Sequence, residues 1–425
     1  MPEPSGSKYS RRLLGVIQAR LHDEPVILLQ GPRSVGKSAL LREIATNYGA
    51  KVLDLDDLAT RDAVVANPGI FMAGPSPVFV DEYQKASLVL DAIKAELNLN
   101  GSPGRFILTG STRHDVLPIA AQALTGRLHR LPVYPLSQGE ISGVTEHLLT
   151  DLFTNPAAAI STATKATSTT TKEEYIKRIT VGGFPMSLHR NSIAARNRWF
   201  DDYIGLTLQR DVQEVSKVRQ NNALPQILGK LAGQTAQILN INKVAGDLRL
   251  TEDVVRSHTK LLEDVFMVYR LPAWGRTLVA RTSAHPKIHV MDSGIAARLL
   301  RLTPEKLVRR DAATMTELGH LLETFVIGEL MKQVSWLDGF AGVGHWRTWD
   351  NDEIDLVVER DDGAIIAFEV KTSSRAHSND FKPMRKLRDK IGDAFLAGVT
   401  LYLGEHAYTL EDRLHVLPVD RLWVP

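Results

Sequence analysis

The sequence predicts an α/β protein. A parallel-sheet core surrounds a phosphate-binding loop, and a helical segment, a winged-helix segment and a second, C-terminal α/β segment follow. Three observations predict this. Residues 30–41 read Q-G-P-R-S-V-G-K-S-A-L-L and fit the pattern G-x-x-x-x-G-K-[ST]. Strand-like apolar runs at 26–29, 51–55, 77–80 and 105–108 alternate with helical stretches, as buried parallel strands do. Near the C-terminus a long helical stretch precedes two strand-like runs, 353–358 and 365–371, joined by an Asp-Asp-Gly turn.

The loop chemistry requires its spacing. Backbone N–H groups must turn inward to cradle phosphate oxygens, and glycine lets the chain approach without a Cβ clash. The candidate nucleotide-binding residues are Gly31, Pro32, Arg33, Ser34, Val35, Gly36, Lys37, Ser38 and Ala39. Lys37 is placed to reach the β- and γ-phosphates, and the Ser38 hydroxyl to take one Mg²⁺ position. The helix starting near Lys37 points its positive dipole end at the same anion. The expected cofactors are therefore ATP and Mg²⁺.

The flanking elements follow in order. A helix over 9–21 carries Leu13, Leu14, Ile17 and Leu21 on one face and leads into the first strand. The second strand ends in Asp54, Asp56 and Asp57, which read either as ligand groups at a strand end or as a turn with a helix cap. The third strand ends in Asp81-Glu82. Asp81 is the expected Mg²⁺ partner and Glu82 the base that orients and activates water. The fourth ends in Thr109-Gly110-Ser111-Thr112, where Thr109 either senses the γ-phosphate or makes ordinary strand-end hydrogen bonds. Arg127 precedes a fifth strand at 131–136. It reads as an arginine finger toward a neighbour's γ-phosphate or as a salt-bridged surface arginine.

Segments 31–38, 78–82, 108–112 and 125–136 together resemble the AAA-type ATPases of bacteria and archaea. The likeness is to the branch in which an N-terminal AAA domain is joined to a C-terminal domain of unknown function. Gly182-Gly183-Phe184-Pro185, Leu208-Gln209-Arg210-Asp211, Asp292-Ser293-Gly294-Ile295-Ala296 and Phe368-Glu369-Val370-Lys371 agree with it, so the resemblance covers nearly the whole chain. It implies a homo-oligomer, a hexameric ring, with sites completed between subunits. The expected divisions are an ATPase core at 1–138, a helical lid at 139–220, a winged helix at 221–302 and a nuclease-like domain at 303–425. Within the lid, 155–171 is rich in Ala, Ser and Thr and reads as a flexible insertion. Arg210 is a second candidate to touch phosphate, or an ion-pair residue.

Helix, turn, helix and two strand-like runs give the winged-helix pattern. Its second helix starts at a Thr251 cap and carries Arg256, His258 and Lys260, the candidate DNA contacts, and the hairpin loop adds Arg276 and Arg281. DNA contact and plain packing both fit.

The C-terminal hairpin ends in a D…E-x-K arrangement, Asp355 then Glu369 and Lys371. It resembles the PD-(D/E)xK, restriction-endonuclease-like nucleases. By that resemblance Asp355 and Glu369 hold a divalent metal, and Glu323 matches the helix acid. Residues i and i+2 share a strand face, so Lys371 sits beside Glu369 to stabilise phosphorane charge or position hydroxide. Cleavage and mere grip on DNA both remain open.

Composition bounds the rest. A chain of 425 residues holds several domains. A net charge of +2 confines nucleic-acid contact to local patches. The absence of cysteine excludes disulfides and thiolate metal sites. No apolar run approaches the ~20 residues of a membrane span, and the first residues lack a signal-peptide pattern. A cytoplasmic protein without membrane association is expected. The two functions in view are an ATP-driven DNA-processing protein, with branched DNA a candidate substrate, and an ATP-dependent switch or scaffold whose C-terminal domain binds partners without cleavage.

Overall fold

The computed structural model describes residues 9–111, 124–212, 223–277, 285–309 and 312–424. The chain begins with α1 (Leu13–Arg20), β1 (Val26–Gln30), α2 (Lys37–Asn47), β2 (Val52–Asp54), α3 (Leu58–Ala66) and α4 (Pro68–Met72). β3 (Val78–Asp81), α5 (Leu88–Leu99), β4 (Phe106–Gly110) and β5 (Leu128–Pro132) complete the first layer. Its five strands are all parallel, in the order β2-β3-β4-β1-β5. Every residue of β1, β3 and β4 is buried. Successive side chains serve opposite faces: Ile27, Leu29, Phe79 and Ile107 join one core cluster, and Val26, Leu28, Val80 and Leu108 the other.

Two expectations change here. The fifth strand ends at Pro132 instead of running to 136, and beyond it Val133 donates to Gln30 O and Leu136 to Gly183 O. The supposed flexible insertion at 155–171 instead contains a packed helix. After α6 (Gln138–Ser142) and α7 (Leu148–Thr154) comes α8 (Pro156–Ala163), with Asn155 capping Ala158 N and Ala159, Ile160 and Ala163 buried. Ser168 and Thr170 then bond the Asp420 carboxylate. Alanine is the strongest helix former, so low complexity there signals a helix as readily as a linker.

The helical lid continues with α9 (Lys172–Val181), α10 (Pro185–Leu188) and α11 (Ile193–Leu206). A middle segment follows: α12 (Leu224–Ala232), β6 (Gln237–Ile238), α13 (Ile241–Leu248), α14 (Glu252–Asp264), β7 (Val268–Leu271) and β8 (Lys287–Val290). Its strands form an antiparallel sheet in the order β6-β8-β7. α15 (Ser293–Leu299), α16 (Pro304–Val308) and the long α17 (Ala312–Trp336) lead into the last segment.

There β9 (Phe340–Arg347), β10 (Glu353–Arg360) and β11 (Ile365–Lys371) form an antiparallel meander, followed by α18 (Lys382–Ile391) and β12 (Phe395–Tyr402), which pairs parallel to β11. β13 (Tyr408–Glu411) and β14 (Leu414–Pro418) complete a six-stranded sheet, β13-β14-β12-β11-β10-β9.

The segments share a core: Ile27, Phe184, Val255, Ile295, Leu322 and Phe368 belong to one buried cluster. α17 fastens the first layer to the last. Glu329 accepts from Gln138 N at 2.7 Å, and Lys332 donates to Leu136 O at 3.0 Å. Beyond β7, Trp274 N donates to His345 O at 2.6 Å and His345 N to Pro272 O at 3.0 Å, so the middle segment is stitched to the edge strand β9 by backbone hydrogen bonds. Among the described residues no helix is long and apolar enough to cross a membrane.

Candidate nucleotide site and C-terminal carboxylate cluster

The loop between β1 and α2 takes its shape from two positive-φ residues, Ser34 (+63°) and Gly36 (+96°). Gly31 is required for a reason beyond phosphate approach: a Cβ there would lie 2.1 Å from Val133 O. Pro32 and Val35 are buried and anchor the loop, while Arg33 and Ser38 are half-buried and Ser34 and Ala39 exposed. Gly36 caps α2 without a side-chain acceptor, which leaves first-turn N–H groups for an anion. Lys37 is buried, and its Nζ donates to Gly31 O at 2.9 Å and Pro32 O at 2.7 Å. The loop's own carbonyls hold the ammonium that phosphate oxygens would take over.

Strand β4 lies between β1 and β3, so its end stands between the loop and the acidic pair. The Thr109 hydroxyl donates to Asp81 Oδ1 and accepts from Glu82 N at 3.0 Å. It thus orients both acids. Glu82 is nine-tenths buried and sits at φ +52°, a left-handed conformation that costs of the order of 1 kcal/mol and turns its side chain off the strand line. Its Oε2 accepts from Gln84 Nε2 and from Ser111 Oγ (3.1 Å), and Gln84 also donates to Ser111 at 3.0 Å. Gln84 was not legible as a site residue; its place two positions after Glu82 was the available signal. A hydroxyl at Ser38 and a carboxylate at Asp81 are hard oxygen donors suited to Mg²⁺, and the loop's N–H groups to phosphate.

The remaining candidates separate. Asp57 caps α3 through Thr60 N at 2.8 Å, and Asp54 pairs with Arg42 at 3.2 Å, so the acidic turn is a cap with an ion pair. Within its own chain Arg127 donates to Asn98 Oδ1 at 2.8 Å. Thr112, Arg281 and the Arg210 side chain lie outside the described residues.

On α14 the three DNA candidates do not share a face. Arg256 is exposed and pairs with Glu252 at 3.2 Å; Lys260 bonds Asp264 at 2.7 Å. His258 corrects the expectation: it is only 3% exposed, with Nδ1 2.8 Å from Val254 O. Three residues after Val255, it lies on the face that also buries Leu261 and Leu262.

In the C-terminal segment, Asp355 and Glu369 stand opposite each other, one step beyond the Leu356–Phe368 pair of β10 and β11. Asp355 Oδ2 accepts from Val370 N at 2.9 Å, and Lys371 bonds Glu369 Oε1 at 2.7 Å. Glu369 Oε2 is buried without a hydrogen-bond partner. The cluster also holds a residue that the sequence placed only in a strand-like run. Lys287, at the start of β8 and 1% exposed, places Nζ 2.6 Å from Glu323, 2.6 Å from Glu353 and 3.0 Å from Asp355.

Burial pulls the Lys287 pKa down, but Asp355, Glu323 and Glu353 outweigh it and hold the group charged. Burial and the Asp355 charge raise Glu323 well above the carboxylate range, and raise Glu369 to about 8. Burial and the Lys287 charge keep His289 and His345 low, hence neutral. Among the described residues no group of three or more His, Asp or Glu is arranged to hold a metal ion. As folded, the C-terminal donor set is shaped around an ammonium, which does not fit the expected metal role of Asp355 and Glu369.

Comparison with known proteins agrees with the first layer. A family model described as an AAA domain matches residues 23–142. Two domains of unknown function, DUF8612 and DUF4143, match 172–306 and 318–422. Uncharacterized proteins of Mycobacterium bovis and Mycobacterium tuberculosis are each 26% identical over 410 residues, covering 96% of this chain and 82% of the relative. A Walker-type ATPase of Pyrococcus abyssi aligns with a TM-score of 0.43 at 14% identity, over 68% of this chain and 95% of its own. With the loop, the acidic strand end and the Thr109 strand gathered at the C-terminal ends of neighbouring parallel strands, residues 23–142 are similar to AAA domains in sequence and carry the P-loop arrangement of a nucleotide-binding domain.

Proposed function

We propose that this protein couples ATP hydrolysis at the β1–α2 loop to the processing or remodelling of DNA, branched DNA included, as a homo-oligomeric ring. The observation that carries the ATPase part is Thr109 held between Asp81 and Glu82 beside the loop. In this reading loop N–H groups and Lys37 bind the phosphates, and Ser38 and Asp81 hold Mg²⁺, which would neutralise phosphate charge. Glu82, steadied by Gln84 and Ser111, takes the proton of the attacking water. Arg127, near the start of β5, is the candidate to act on a neighbouring subunit's nucleotide.

The DNA part is supported by two arrangements. The middle segment has the helix, strand, helix, helix, hairpin order of a winged helix. In the last, a helix acid, an acid strand and an E-x-K strand follow in the order the PD-(D/E)xK resemblance implies, and Glu323, Asp355, Glu369 and Lys371 lie on them. ATP turnover with and without duplex, single-stranded and four-way-junction DNA tests it. Stimulation by one form supports DNA coupling, and a rate indifferent to all three rejects it. One observation favours the second reading, a nucleotide-dependent switch that grips a partner without cleavage: Lys287 fills the carboxylate cluster.

A further inference from the structure

We infer that Lys287 is the resident cation of the C-terminal carboxylate cluster, its ammonium standing where a divalent metal would stand, so that the assembled protein excludes divalent ions from Glu323, Asp355 and Glu369. The inference rests on the nuclease-like reading of that cluster, and on four observations.

The first is geometric. Nζ of Lys287 contacts three carboxylates, donated by α17 (Glu323) and β10 (Glu353 and Asp355), at 2.6–3.0 Å. Those to Glu323 and Asp355 are charge-assisted hydrogen bonds, and that to Glu353 is an ion-pair contact, so three carboxylates surround one ammonium. The second is origin. Lys287 belongs to the middle segment, and every carboxylate it meets lies beyond residue 320. The cluster is therefore completed by a residue from outside its own sheet.

The third is the mismatch left behind. Glu369 faces Asp355 across the β10–β11 pair, yet its Oε2 is buried and unpartnered. An ammonium bonded to Glu323 and Asp355 and paired with Glu353 leaves that oxygen over, whereas a divalent cation coordinates six or more oxygens and would use it. The fourth is rigidity. Lys287 pairs with Leu271 in the β7–β8 ladder, and the chain leaving β7 bonds to His345 of β9 through backbone groups. Trp274 Nε1 adds a bond to Glu359 at 2.8 Å. The strand bearing the lysine is thus fastened to the sheet bearing the acids, and the ammonium is delivered by construction instead of by a mobile tail. Arg347, 3.7 Å from Glu353, adds positive charge at the rim.

Manganese(II) titration of the nucleotide-free, full-length protein tests this, with free Mn²⁺ read by electron paramagnetic resonance. Wild type should show no saturable site at the cluster. Lys287→Met should gain one site per chain, at least about tenfold tighter than any in wild type, because the competing ammonium is gone. That gain should vanish when Asp355→Asn is added. Lys287→Met leaves buried carboxylates uncompensated, so Lys287→Met with Glu353→Gln, which removes one charge of each sign, is the second variant. Folding only in the presence of Mn²⁺ by either variant also supports the inference. It is overturned if wild type already binds Mn²⁺ through Asp355, if a folded variant gains no site, or if neither variant folds even with Mn²⁺. The titration contains no DNA, so the two proposals fail separately. A Lys287→Met protein that gains the Mn²⁺ site, beside a wild type whose ATP turnover no DNA stimulates, keeps this inference and rejects the DNA reading. Wild-type cleavage with Mg²⁺ that is lost on Asp355→Asn does the reverse.

Discussion

Asp292 accepts the backbone N–H of Gly183 through Oδ2 at 2.7 Å, while its Oδ1 caps α15 at Gly294 N and Ile295 N. One buried carboxylate thus joins the lid to the helix behind the middle segment. Both glycine motifs crowd it: a Cβ on Gly182 would lie 2.1 Å from Asp292 Oδ1, and one on Gly294 3.0 Å from the same oxygen and 2.7 Å from the Phe200 ring. Asp292→Ala should destabilise the protein by about 2–4 kcal/mol in urea unfolding, since it strands three buried N–H groups, and Asp292→Asn should recover part of that loss.

Turnover at the loop should divide by role. Lys37→Ala should abolish nucleotide binding in a fluorescent-nucleotide assay. Glu82→Gln should bind ATP normally but turn over about 10²–10⁴-fold more slowly. Gln84→Ala touches no phosphate, so it should lower kcat and leave KM nearly unchanged. A normal rate in Glu82→Gln removes that residue from the role of base.

Stability should fall with rising pH through Glu369. Its pKa moves from 4.5 to about 8 on folding, so between those values the folded state binds the extra proton and loses that advantage as pH rises. Melting temperatures between pH 5 and about 8.5 should therefore decline less steeply for Glu369→Gln than for wild type. His289 and His345, held low by burial, act in the opposite sense but equally in both proteins.

The α14 surface gives a graded test of DNA contact. Arg256→Ala with Lys260→Ala should weaken duplex binding and reduce the salt slope by about two. His258→Ala should lower stability, since its ring is buried, and leave the salt slope unchanged. An unaltered slope in the double variant would take this helix out of the DNA reading.

What the sequence determined by itself was local. The loop spacing, the apolar strands with acids at their ends, the Thr251 cap and the E-x-K strand are each written within about ten residues, and backbone periodicity alone places those side chains. The orientation of Asp81 by Thr109 comes with the strand order, which the fold supplies. The tertiary structure decided the rest. It turned His258 inward, packed residues 156–163 against the core, and set Gln138 on Glu329. Above all it brought Lys287 to Asp355, 68 positions away in the chain. A lysine at the start of an apolar strand carries no mark of its partners. What makes it buried and charged is the convergence of three carboxylates from a helix and a strand of another segment, and only the folded chain supplies that convergence.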